Sequence, residues 1–191
     1  QLEWASGPTI SLWDIKKQLD DHLKLENRVC EANKINRLYL SVEPIYKPQD
    51  IDLIRSKKYE SMDKVFQKTG SMGSWMMRNT TSIQVNIDFT SKQDANEMAF
   101  IADVIQPLFS VLFSNAPFNN GQAAKTDNLR WKIWENTDNN RCRSLFDHDI
   151  YIPKSMVNNY AKWIQSVPAI FEINNSSARS FSGSLGEMLS K

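Results

Sequence analysis

With 191 residues, 41% of them hydrophobic and 24% charged, the chain carries enough apolar material for one ordinary globular core. Its 23 Lys+Arg against 22 Asp+Glu leave a net charge of +1 with no basic block, which removes the electrostatic footprint of a nucleic-acid binder. No run of about 18 apolar residues is present to span a bilayer, and six Trp, nine Phe and five Tyr exclude a disordered chain.

Taken in chain order, residues 1–5 alternate as a strand does and end at the turn signal Ser6-Gly7-Pro8. Ser11 is placed to cap an amphipathic helix with Leu12, Ile15, Leu19, Leu23 and Cys30 at near-helical spacing. His22 lies among its charged residues and is expected to face solvent. Leu38, Leu40 and Val42 suggest a second strand ending near Pro44, and Pro48 with Asp50 opens a helix over about residues 50–68, closed by Gly70. Residues 70–78 combine two Gly, three Met and a Trp, which suits either a substrate-facing loop or core filling.

Residues 80–89 give the clearest strand pattern: Ile83, Val85, Ile87 and Phe89 fall on one face, and Ser82, Gln84, Asn86 and Asp88 on the other. That polar face meets either water or a site. Ser91 then caps a helix that is apolar almost all round between residues 98 and 113, predicting burial on several sides and a kink at Pro107. Residues 115–121 read as a loop, a helix is expected over about 154–165, a short strand over 169–173 and a terminal helix or turn over 182–189.

Between them, residues 130–141 pack three cationic groups, two indoles and two acids into twelve positions. Guanidinium groups beside aromatic rings suit planar anions such as carboxylate and phosphate, the alternative being a surface ion-pair cluster. Phosphate loops of the GxxxxGK[ST] type, GxGxxG, GxSxG and HExxH are absent. His22 and His148 have no Cys or Asp at ligand spacing, which argues against a transition-metal site or a His-based triad. Oxygen-bearing strand residues with several arginines fit nucleotide-dependent chemistry, where a hard cation bridges carboxylates to phosphates. Cys30 and Cys142 are far apart, without the spacing of a disulfide framework, and a reduced, cytoplasmic protein is expected. Cys142, between Arg141 and Arg143, is either a thiol of lowered pKa or an ordinary free thiol.

Several of these segments resemble one family in its own order. The run 75–89, WMMRNTTSIQVNIDF, resembles the "MM..T...QVN.D" strand of the plant-type glutamate–cysteine ligases, the second glutamate–cysteine ligase family. Arg130, Trp134, Thr137, Asp138 and Arg141 match its "R...W..TD..R" segment, Gln1 to Gly7 its "Q.E.SG" strand, Ser114 to Phe118 its "NSPF"-like loop and Val167-Pro168 its "VP". The chain departs from the family at Asn79, where the plant-type sequences carry an arginine; here Arg78 stands one place earlier.

The resemblance implies an α+β fold like that of glutamine synthetase, a curved, mostly antiparallel sheet with helices on its outer face. Family members are longer at both ends, so residues 1–191 are expected to be part of a single catalytic domain truncated at both ends. The implied reaction is ATP-dependent condensation of L-glutamate with L-cysteine, through a γ-glutamyl phosphate, to γ-glutamylcysteine, the first step of glutathione synthesis. The alternatives are a related ligase joining glutamate to another amine, or a truncated, non-catalytic remnant. ATP is the implied co-substrate and Mg²⁺ the implied cofactor. Glu3 is the candidate metal ligand, with Gln84 and Asn86 beside the nucleotide. Arg130 and Arg141 are the candidate catalytic clamps, and Arg78 and Trp134 the candidate substrate-binding residues, Arg78 for glutamate and Trp134 as a wall of the pocket.

Overall fold

The computed structural model describes residues 3–174 and 177–190, in two units, Gln1–Tyr39 and Leu40–Lys191. In the first unit, residues 3–10 have no regular structure, and residues 1 and 2 of the expected opening strand lie outside the described residues. Helix α1 (Leu12–Asn33) begins as its sequence dictates: the Ser11 hydroxyl accepts the Asp14 N–H at 3.3 Å. Lys34 ends it in the left-handed conformation at φ 56°, donating its N–H to the Cys30 and Glu31 carbonyls. Ion pairs Lys16–Asp20 and Lys17–Asp21 line its surface, and no residue of α1 is buried. His22, expected to face solvent, is half-buried and stacks on Trp4 with ring centroids 4.9 Å apart.

The second unit is built mainly from helices: α2 (Lys57–Thr69), α3 (Gly73–Asn79), α4 (Lys92–Leu112), α5 (Leu129–Glu135), α6 (Met156–Ser166) and α7 (Leu185–Leu189). Strands β1 (Phe118–Asn119) and β2 (Gln122–Ala123) form one antiparallel pair; β3 (Phe171–Asn174) and β4 (Ser177–Ser180) form another, with Phe171 opposite Ser180. The fold is therefore α+β. The Asn-Gly pair at 120–121 adopts φ 54° and 73°, the double positive φ of a tight hairpin turn, so the expected loop is a β1–β2 hairpin. Helix α4 starts with Ser91 accepting the Asp94 N–H at 3.1 Å and continues through Pro107 to Leu112. The terminal helix expected over 182–189 is α7, whose Ser184 and Glu187 make reciprocal side-chain bonds to each other's N–H.

Four expectations about secondary structure and burial change. The helix expected over about residues 50–68 does not begin at Pro48 and Asp50, which form a separate 3-10 turn; α2 starts only at Lys57. Residues 37–42 form no strand; a single antiparallel bridge joins Val42 to Thr80. Residues 82–89 form none either, and all of them are exposed. Period-two alternation decides which side chains share a face, but a strand also needs a partner for its main-chain groups, and no described residue supplies one here. Helix α4, expected to be buried on several sides, buries Asn96 alone.

The core beneath the candidate site comprises Val42, Ala116, Leu129 and Ile133, with Met72, Trp75, Met76 and Ala124 packed against it. The Met- and Trp-rich segment is thus core filling, and it is helical over α3. Between α2 and α3 the chain passes so close to the end of α5 that a Cβ on Gly70 would lie 2.3 Å from the Thr137 carbonyl oxygen and 2.4 Å from that of Asn136. The Met72 N–H donates to the Asn136 carbonyl at 3.0 Å in the same contact. Glycine is required by this approach, since Gly70 itself is ordinary extended backbone. Gly70→Ala is expected to lower unfolding free energy by about 1–3 kcal/mol, read as a lower urea midpoint.

Candidate functional site

Helix α5 carries a partly buried guanidinium, that of Arg130. Asn128 caps it, its Oδ1 accepting the Trp131 N–H at 2.9 Å, while Leu129 and Ile133 anchor one face in the core. Arg130 and Trp134, four residues apart, share another face, and the guanidinium carbon lies 5.6 Å from the indole centroid. The Arg130 Nε–H donates to the Thr81 carbonyl at 3.0 Å, tying α5 to the start of the 82–89 segment. Among the described residues, no carboxylate pairs with Arg130. Burial alone pushes its pKa down from the usual guanidinium value. The Trp134 Nε1–H is buried without an acceptor. A partly desolvated cation without a carboxylate partner among the described residues, near an unpaired donor, has the chemistry that suits an anion.

The other candidate arginines are engaged by the protein. Arg78, on α3, donates to both carboxylate oxygens of Asp63 on α2, at 2.9 and 3.1 Å, with both side chains largely buried. Arg78 chiefly, helped by Ser74 and Gln67, holds the Asp63 carboxyl below the usual carboxylate range. Asn79, where the family resemblance calls for arginine, is buried and donates from Nδ2 to the Tyr46 carbonyl at 2.8 Å. Arg141 donates to the fully buried Asp138 and to the Pro168 carbonyl, pinning the turn after α5 to the segment that leads into β3. Asp138 Oδ1 accepts the Asn140 N–H as well, at 2.9 Å. Cys142 is half-buried and free, as is Cys30. Burial, with the nearby Asp138 charge, pushes the Cys142 thiol up, opposite to what its flanking arginines suggest in sequence.

Gln84 and Asn86 are exposed along the 82–89 segment, and Glu3 is exposed in the first unit. Among the described residues no group of three or more His, Cys, Asp or Glu is arranged to hold a metal. One carboxylate and two amides supply only part of the oxygen-rich shell of Mg²⁺, whose other ligands would come from phosphates or water. Sequence reasoning missed Thr81, Asp63 and Asp138 as partners of the three arginines. The i, i+3 spacing of Asp138 and Arg141 was a usable signal. Nothing local announces Asp63, fifteen residues before Arg78.

A family model described as Glutamate-cysteine ligase family 2 (GCS2) matches residues 1–188. The chain belongs to this family. It is 31% identical over 178 residues to glutamate–cysteine ligase A, chloroplastic, of Oryza sativa subsp. indica, a match covering 92% of this chain and 35% of the rice protein. It is 32% identical over 145 residues to the chloroplastic ligase of Medicago truncatula, covering 76% of this chain and 28% of that protein. The Arabidopsis thaliana enzyme matches over the same length at 30%, covering 76% of this chain and 28% of that protein. The chain thus spans about a third of the length of the curated relatives it matches, 35% of the rice proteins. These names overturn the expectation of a cytoplasmic protein, for each of these relatives is a chloroplastic enzyme. No described helix is long and apolar enough to cross a membrane.

The contrast between the arginines is measurable as stability. Arg141→Ala strands the buried Asp138 carboxylate and is expected to cost about 3 kcal/mol. Arg130→Ala removes one hydrogen bond to a carbonyl and is expected to cost about 1 kcal/mol. Urea unfolding of the two variants side by side checks the order; equal losses would contradict it.

Proposed function

We propose that this chain contributes to the catalytic domain of an ATP-dependent ligase that joins L-glutamate to L-cysteine. The carrying observation is Arg130, a partly buried guanidinium without a carboxylate partner among the described residues, set over Trp134 on the segment that resembles the family's "R...W..TD..R" pattern. In this reading the γ-carboxylate oxygen of glutamate attacks the terminal phosphorus of ATP and ADP leaves. The cysteine nitrogen then attacks the acyl carbon, loses a proton and expels phosphate. Both steps concentrate negative charge on oxygens, and the Nη groups of Arg130 with the Trp134 Nε1–H are the donors that hold one such oxygen group. The indole face bars water from the acyl phosphate, which water would otherwise hydrolyse.

Residues 82–89 belong, in this proposal, to a curved antiparallel sheet of the glutamine-synthetase type, with Gln84 and Asn86 on its nucleotide-facing side. Glu3 supplies one oxygen ligand to the Mg²⁺ that accompanies ATP, the phosphates filling most of the remaining shell. Arg141 and Arg78 act as positioning residues through Asp138 and Asp63, holding the frame of α5 and α3. The names of the relatives favour a plastid as the setting. The departure at Asn79 leaves a second amine acceptor as the rival reading, since this position carries an amide where the resembling sequences carry a guanidinium.

ADP release by the purified protein tests the proposal. It should require glutamate and be stimulated by cysteine above a panel of other amines, and Arg130→Ala should lower kcat/KM about 100-fold. Preference for another amine selects the rival, and ADP release independent of glutamate refutes both.

A further inference from the structure

Thr81 is an exposed residue, yet its carbonyl, N–H and hydroxyl are all engaged by the protein. The carbonyl accepts the Arg130 Nε–H at 3.0 Å, the N–H donates to the Ser41 carbonyl at 3.1 Å, and the hydroxyl donates to the Leu40 carbonyl at 3.0 Å. Ser41 repeats the pattern, its N–H and its hydroxyl both donating to the Asn115 carbonyl at 2.9 and 3.0 Å. Beside Asn115, the Ser114 hydroxyl donates to the Asp127 carbonyl at 2.6 Å, and the next residue, Asn128, caps α5, the helix that carries Arg130. The bonds close a ring that runs from Arg130 through Thr81, Ser41 and residues 114–115 back to the start of its own helix. Thr81, Ser41 and Ser114 are none of them buried, so water could serve each hydroxyl and desolvation does not account for the pattern. Closure does: the anchor of Arg130 cannot shift without breaking a bond elsewhere in the ring, which makes individually weak bonds support one another.

We infer that Thr81, Ser41 and Ser114 are positioning residues that hold the Arg130 guanidinium by its Nε, so that a carboxylate or phosphate group is gripped end-on by the two Nη groups. The inference rests on the anion reading of Arg130 given above. A guanidinium has two edges that match a pair of oxygens, one formed by Nε with an Nη and the other by both Nη. The Thr81 carbonyl occupies the first edge and leaves the second for the ligand. A long side chain ordinarily loses rotamer freedom when it grips an anion; one already held at Nε loses less, and the difference appears as affinity. None of the three hydroxyls touches the anion in this account. Their effect passes through the Thr81 carbonyl to Arg130.

Proton–nitrogen correlation spectra of the whole 191-residue chain test this. The Arg130 Nε–H signal, identified by its loss in Arg130→Lys, should exchange slowly with water and shift on titration with inorganic phosphate. Thr81→Val keeps the side-chain shape and removes the hydroxyl. It should speed that exchange and weaken phosphate binding, each by about 5-fold, the scale of one lost hydrogen bond. Thr81→Ser should restore both. Ser41→Ala and Ser114→Ala should act in the same direction, and Ser114→Ala added to Thr81→Val should do no further harm, because a ring already opened is not opened again. Ser166→Ala removes a comparable hydroxyl–carbonyl bond on α6 and should change neither readout. Losses that add, or a Thr81→Ser variant as impaired as Thr81→Val, overturn the inference. So does a phosphate response that survives unchanged in Thr81→Val, which leaves the anion reading standing. A signal that phosphate does not move in the unmodified chain overturns the anion reading and the inference with it.

Discussion

A guanidinium that gives up much of its water has to recover the lost energy from negative charge, and for Arg130 the described protein does not provide it. Its Nε is used by the Thr81 carbonyl and its plane lies near the Trp134 ring, so two directions are fixed and the Nη donors remain. Arg78 and Arg141 show the opposite solution, each neutralised by a buried or nearly buried aspartate. The difference separates guanidinium groups that organise the fold from one that, in the proposed reading, is left for an external anion. Retaining an uncompensated charge costs stability, which is characteristic of sites whose ligand completes them.

That arrangement depends on α5 being held firmly at its C-terminal end. The glycine at position 70 lets the α2–α3 connection press against the Asn136 and Thr137 carbonyls. The Arg141 fork then clamps the following turn to Pro168 through Asp138. Leu129 and Ile133 complete the support from below, a fully buried isoleucine alone contributing on the order of 1.5–3 kcal/mol. The result is that a one-residue change of register between Arg78 and Asn79 has a clear meaning. The guanidinium turns to Asp63 and the amide inward to Tyr46, and neither is left for an external carboxylate.

Local chemistry was legible in the sequence. The caps at Ser11 and Ser91 follow from spacing and side-chain type alone, whereas the hairpin at Asn120-Gly121 was legible only as a loop and the contact of Arg130 with Trp134 only as a mixture of cations and indoles. The family, too, was readable from ordered motifs, and the match over residues 1–188 bears it out. Partnership was not legible. The alternation in residues 80–89 specifies faces, yet whether a ladder forms depends on a neighbouring strand that no local pattern encodes. Similarly, nothing near Arg78 in sequence points to Asp63, and nothing near Cys142 predicts that burial outweighs its flanking arginines.

The nitrogen-bound proton of the Trp134 indole offers the most direct probe of the central claim, because it is buried without an acceptor beside Arg130. In a proton–nitrogen correlation spectrum, titration with glutamate or with inorganic phosphate should shift the Trp134 indole signal, identified by its loss in Trp134→Phe, and the shift should vanish in Arg130→Ala. An indole signal that stays put under both anions, or that moves equally without Arg130, would contradict the account of this pair as an anion site.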